Sequence, residues 1–192
     1  MSQLKNKRYY DVSGFYRLVR SAASIIPTLI RAQRSALVDP QFREKIILAV
    51  TEVNGCAICS QVHTALALKS GMSEQEISEM LSGVHANIKD NEGVAIMFAQ
   101  HYADTSGHPD NEVSARLASS YSQDEVRDIH AFIKLIMVTN AHGNAFNALK
   151  QRFRRKAVGS KSFSSDLMIA LGFPLFIPVG LLHNLFSRAP LS

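Results

Sequence analysis

Apolar positions along this chain recur at spacings of three and four nearly throughout, a pattern that predicts helices rather than strands. Phe15, Leu18, Val19, Ala22, Ile25 and Ile26 fall on one face behind Ser13, a candidate cap for a first helix that Pro27 should bend or break. Asp39-Pro40 is a start signal, a capping carboxylate followed by Pro where a helix has no use for an N–H. Phe42, Ile46, Val50 and Val53 form the next stripe, and Asn54-Gly55 ends it because both residues tolerate left-handed backbone. A further helix should begin at Cys56 and run to about Gly71. Ser73-x-x-Glu76 and Ser122-x-x-Glu125 are capping boxes. The first opens a short helix carrying Ile77, Met80 and Leu81. The second opens the longest helix, with Val126, Ile129, Ile133, Ile136 and Met137 inward and a run past Leu149. Between them a helix over 91–103 and a Gly-, Pro- and Asx-rich loop over 104–110 are expected. No run alternates as a strand does between turns, so the fold class is all-α, a single-domain helical bundle.

Past Gly159 the chain should turn back through one or two more apolar helices. Residues 167–186 contain no Lys, Arg, Asp or Glu, which is near the length needed to span a bilayer. Gly172, Pro174, Pro178 and Gly180 interrupt this run, and His183 and Asn184 add polarity. A buried or subunit-facing terminal element is therefore expected, with membrane contact as the less favoured alternative.

Composition narrows the picture further. A chain of 192 residues with 46% hydrophobic content supports one domain with a proper core, 1–192, ending in an apolar extension over 160–192. The formal charge is +5, and part of the excess lies in Arg152, Arg154, Arg155 and Lys156. No zinc finger or aromatic RNA-binding pattern accompanies them, so they read as the solvated, dipole-favoured end of a helix, with no nucleic-acid partner. The N-terminus shows no apolar stretch behind a cleavage site, and a signal peptide is not expected. The two cysteines lie too close together for a secreted disulfide framework, which points to a reducing compartment and a cytoplasmic protein.

The candidate chemistry is concentrated in Cys56-Ala-Ile-Cys59-Ser-Gln-Val-His63. Positions i and i+4 share a helix face, which sets His63 beside Cys59 as a base for its thiol proton. A helix N-terminus and a Cys-x-x-Cys partner both favour thiolate, and the second sulfur can close a disulfide. No cofactor or metal is needed for this. Glu44, on the preceding helix, has Ile47 and Leu48 on its face, so a desolvated carboxylate near the thiols competes with a surface Glu paired to Arg43 or Lys45.

Glu44, the Asn54-Gly55 turn, Cys56, Cys59 and His63 together resemble the signature of the alkyl hydroperoxidase D-like proteins of the carboxymuconolactone decarboxylase superfamily. The likeness extends more loosely over 35–150 and includes Gly143, Asn144 and Phe146. It implies an all-helical fold, assembly as a trimer, hexamer or related homo-oligomer, and antioxidant peroxidase activity. By position, Cys59 attacks the peroxide, Cys56 resolves the sulfenic acid, His63 takes the proton from Cys59, and Glu44 assists through a water and Cys56. The implied partners are a peroxide substrate, hydrogen or organic, and an external dithiol reductant, a lipoyl-bearing or thioredoxin-like protein. One departure is Ile58, where the best-studied branch has a second histidine. Founding decarboxylases of the superfamily generally lack the cysteine pair, so the pair favours redox work over lactone decarboxylation.

Three rival readings use the same residues. Cys56, Cys59, His63 and Glu44 are competent zinc ligands. A dithiol–disulfide oxidoreductase shares the motif without a peroxide, and an interaction protein would leave the thiols incidental. Of the remaining histidines, His85, His101, His108, His130 and His183 read as surface or packed residues. His142 stands apart because it shares the long helix with Gly143 and Asn144.

Overall fold

The structure, a computed structural model, describes residues 7–83, 90–160 and 162–187. His85 and the first six residues lie outside them. Among the described residues there are nine helices and no strand: α1 (Val12–Ala23), α2 (Ile26–Ser35), α3 (Pro40–Asn54), α4 (Ala57–Lys69), α5 (Glu74–Leu81), α6 (Asp90–Asp104), α7 (Asn111–Ser120), α8 (Gln123–Phe153) and α9 (Phe163–Ser187). The all-α bundle expected from the sequence is the observed architecture.

Four boundaries are set by the predicted caps. Asp39 accepts the Gln41 and Phe42 N–H groups at the head of α3, and both capping boxes form, Ser73 with Glu76 and Ser122 with Glu125. Gly55 closes α3 at φ 67, the left-handed conformation its position requires. At α1, Asp11 rather than Ser13 is the cap: its carboxylate accepts the Gly14 N–H at 2.6 Å, and Ser13 donates to the same carboxylate at 3.2 Å. The chain breaks at Ser24–Ile25, so Pro27 stands in the first turn of α2 instead of kinking α1. Helix α7 was not predicted. Leu117 is its only fully buried residue, so it carries no apolar stripe to read.

Helix α3 is the hub. Its residues Ile46, Leu48, Ala49 and Val50 are completely buried, and it packs against α4, α5, α6 and α8. A buried ion pair, Lys45 Nζ to Glu92 Oε2 at 2.7 Å, ties it to α6. Helix α8 is about 46 Å long at 1.5 Å per residue. Its Ile129, Ile133, Ile136 and Met137 enter the main core as expected.

Helix α9 differs from expectation. It is continuous through both prolines, which sit on its exposed side. Pro174 has no N–H for the Ala170 carbonyl one turn back, and His142 Nε2 donates to that carbonyl instead, at 3.2 Å. One face of α9 packs Ile169, Phe173, Phe176 and Ile177 against Phe15, Val19, Val138, Ala141 and Ala145. The other face is open: Leu171 and Leu175 are each 70% exposed, Leu185 75% and Phe186 86%. The terminal element is therefore buried on one side only. By length and composition it is also long and apolar enough to cross a membrane.

Candidate dithiol site

The site is built where α3 hands the chain to α4. The Asn144 side-chain amide, reaching from α8, donates to the Asn54 carbonyl at 2.8 Å and the Arg8 carbonyl at 3.0 Å. That clamp fixes the Asn54-Gly55 turn against the long helix. Cys56 follows in extended backbone as the N-cap of α4, and its Sγ accepts the Cys59 N–H at 3.3 Å. A sulfur here does what a serine or aspartate oxygen does at most helix starts.

Both thiols are free, Cys56 wholly buried and Cys59 8% exposed. The Cys59 thiol donates to Cys56, and with the Cys59 and Ile58 N–H groups it holds the Cys56 thiol below its ordinary pKa despite burial. The same bond, with desolvation, pushes Cys59 well up. The Cys59 sulfur also lies 3.6 Å from the Thr139 carbonyl of α8. Gly143 is what lets α8 come so near, because a Cβ there would stand 2.7 Å from the Cys56 sulfur and 3.4 Å from that of Cys59.

Glu44 is 1% exposed, not a surface residue. Its carboxylate sits between two groups, with Oε2 2.8 Å from His63 Nδ1 and Oε1 3.3 Å from Arg43 Nε. Arg43 is in turn held over the Phe132 ring, 5.9 Å from its centroid. A carboxylate only accepts, so His63 donates from Nδ1, and in the neutral ring the lone pair is then on Nε2.

Sequence reasoning named these four residues, and the structure pairs them as Cys56 with Cys59 and Glu44 with His63. Glu44 reaches His63 and Arg43, where an approach through Cys56 was expected. Among the described residues His63 and Cys59 form no direct hydrogen bond, since the carboxylate takes Nδ1 and the thiol proton is turned toward Cys56 and Thr139. Spacing of four residues gives a shared face, not a bond. The two groups meet instead on one cavity of about 460 Å³.

Ile58, Val62 and Phe146 make its apolar wall, and Cys59, His63, Thr139 and His142 its polar one. Ile58 thus gives an alkyl surface where a histidine was the alternative. His142 is the added member. Its Nε2 donates to the Ala170 carbonyl exposed by Pro174, and its ring stacks on Phe173 with centroids 4.5 Å apart. Its place on the long helix beside Gly143 was the only signal for it. Among the described residues no group of three or more His, Cys, Asp or Glu side chains is placed to hold a metal ion.

Comparison with known proteins agrees with the resemblance. Residues 30–87, which contain Glu44, Cys56, Cys59 and His63, match the carboxymuconolactone decarboxylase family. The uncharacterized protein YdfG of Bacillus subtilis (strain 168) is 30% identical over 64 residues, 33% of this chain and 44% of that protein. The chain therefore spans less than half the length of the curated relative it matches. No solved structure matches at a significant level.

Proposed function

We propose that this chain is a thiol-dependent peroxidase that reduces hydrogen or organic peroxides through a Cys56–Cys59 dithiol/disulfide cycle. The observation that carries this reading is a pair of free cysteines, joined by the Cys59 N–H to Cys56 Sγ hydrogen bond, of which only Cys59 lines the cavity, in company with a carboxylate-anchored imidazole. The family match by itself is equally compatible with decarboxylation of a lactone. A paired dithiol has no task in that reaction and an obvious one in reducing a peroxide.

In the proposed cycle one of the two thiol protons goes to His63 Nε2, the resting charge lies on Cys56, whose pKa is the lower, and the remaining proton passes from Cys59 to Cys56 as the Cys59 sulfur attacks. The Cys59 sulfur attacks the terminal peroxide oxygen. An S–O bond forms, the O–O bond breaks, and the departing alkoxide or hydroxide takes the proton from His63. Cys56 then attacks the Cys59 sulfenic acid, its own proton leaving with the hydroxyl as water. An external dithiol, lipoyl-bearing or thioredoxin-like, returns two electrons and two protons. Exposed apolar side chains lining the cavity, Ile58 at 39%, Val62 at 51% and Phe146 at 51%, support the homo-oligomer that belongs to this reading.

Free-thiol titration before and after a small excess of cumene hydroperoxide tests it. Wild type should lose both thiols together, Cys56→Ser should accumulate a sulfenic acid, and Cys59→Ser should keep its remaining thiol. An unchanged thiol count in wild type overturns the proposal. Oxidation by small disulfides without oxidation by peroxide would replace it with a dithiol–disulfide oxidoreductase.

A further inference from the structure

A second and larger cavity, about 900 Å³, shares no lining residue with the dithiol cavity. It is walled by the segment before α1, by α1 itself, by the loop between α6 and α7, and by His130 and Lys134 of α8. Its charge is one-sided. Arg8, Arg17 and Lys134 face it with two imidazoles, His108 and His130, while Asp11 is the one carboxylate in the lining. Asp11 is already engaged as the cap of α1. Arg8 is engaged too, with the Asp104 carbonyl and the Ser106 hydroxyl, each at 2.8 Å.

Lys134 and the Tyr10 hydroxyl are left without a proper acceptor, and exposed Arg17 has Asp11 as its nearby charge. Among the described residues Lys134 makes no hydrogen bond or ion pair, although burial is enough to push its ammonium below the ordinary lysine range. Arg17 has one long bond, to the Ser13 hydroxyl at 3.4 Å. The Tyr10 hydroxyl is buried with Ser106 and Arg8 beside it, yet forms no hydrogen bond of good geometry. Lys134 is half-buried and its ammonium still meets water in the cavity, with no carboxylate among the described residues to answer it. A lining in which cations outnumber acids, with Lys134 unpartnered, suits a guest rich in negative acceptors. The cavity volume falls within the range of small-molecule sites, and Tyr9 and Tyr102 give it flat apolar wall.

We propose that this cavity binds a small organic anion bearing a phosphate or carboxylate group, with Lys134 and Arg17 holding the anionic end. The site stands independently of the dithiol chemistry.

Thermal unfolding of the full chain tests it, with inorganic pyrophosphate and citrate as probes at millimolar concentration and sodium chloride matching the ionic strength. At least one probe should raise the Tm saturably in wild type, and which of them does separates phosphate from carboxylate recognition. Lys134→Met should abolish that rise. Without any probe the same variant should unfold at a higher temperature than wild type, because the uncompensated cation is gone. Arg17→Gln should weaken probe binding by about tenfold, and Cys59→Ser should leave it unchanged. The proposal is overturned if neither probe moves wild type, if the rise survives in Lys134→Met, or if Lys134→Met without probe is less stable than wild type.

Discussion

The two cavities share one helix and treat polarity in opposite ways. Where α8 passes the thiols, every polar side chain on the wall is answered from within the protein: Cys59 by Cys56 and the Thr139 carbonyl, His63 by Glu44, His142 by the Ala170 carbonyl, and the Thr139 hydroxyl by the Ile136 carbonyl. Two turns earlier, at His130 and Lys134, the same helix borders a cavity whose cations outnumber its acids and whose Lys134 has no partner among the described residues. The first arrangement suits work on a neutral reactant, with reactive atoms held in place and no net charge left over. The second suits recognition of a charged guest, at the expense of stability while the site is empty.

The sharpest way to break this comparison is to remove the base from the first cavity alone. His63→Ala should slow peroxide-dependent thiol loss by about a hundredfold or more, the usual scale for a general acid–base group. The pyrophosphate or citrate effect at the second cavity should not change. Equal losses at both would mean that the variant damages the bundle rather than the chemistry. Gly143→Ala comes next. Its new methyl meets the Cys56 sulfur, and a crowded core site of this kind costs about 1–3 kcal/mol, read as a lower urea midpoint with a changed rate of thiol alkylation.

Glu44→Gln keeps the volume and removes the charge that Arg43 and His63 share. Leaving these groups imperfectly paired should cost about 1–2 kcal/mol in urea unfolding and slow thiol oxidation, since Nδ1 is then no longer held by a carboxylate. The smallest effect should come from His130. Burial, with Lys134 nearby, lowers it from 6.5 to about 4. The folded protein therefore keeps this imidazole neutral while the unfolded chain protonates it, so stability present above pH 6.5 declines as the pH falls toward 4. His130→Phe should flatten that part of a Tm-against-pH curve without altering peroxide-dependent thiol loss.

The first cavity was far more legible in the sequence than the second. Cys56, Cys59 and His63 lie within eight consecutive residues, and Glu44 is one helix away behind a Gly turn, so local spacing carries most of the geometry. What local spacing missed is tertiary. It set His63 on the correct face but did not foresee that a buried carboxylate would claim Nδ1. It singled out His142 but not the proline-emptied carbonyl on α9 that holds it. Helices ending in strong caps, such as Asp39 and Ser122, were readable. Helix α7, with a single buried side chain, was not. Tyr10 and Arg17 lie close together near the start of the sequence, but Lys134 is far from both, and no periodicity or motif links it to them before the chain folds.

The unequal burial of the two sulfurs gives any bond between them a direction. Cys56 has no exposed surface, and the sulfur that meets the cavity is that of Cys59. An incoming thiolate aligned for in-line displacement then has one target, so the mixed disulfide forms at Cys59 and Cys56 is the leaving group. Cys56 is well suited to leave, since the same N–H groups that cap the helix stabilise the charge it departs with. In the proposed cycle the thiol of the reductant therefore reaches Cys59 by way of the cavity walled by Ile58, Val62 and Phe146.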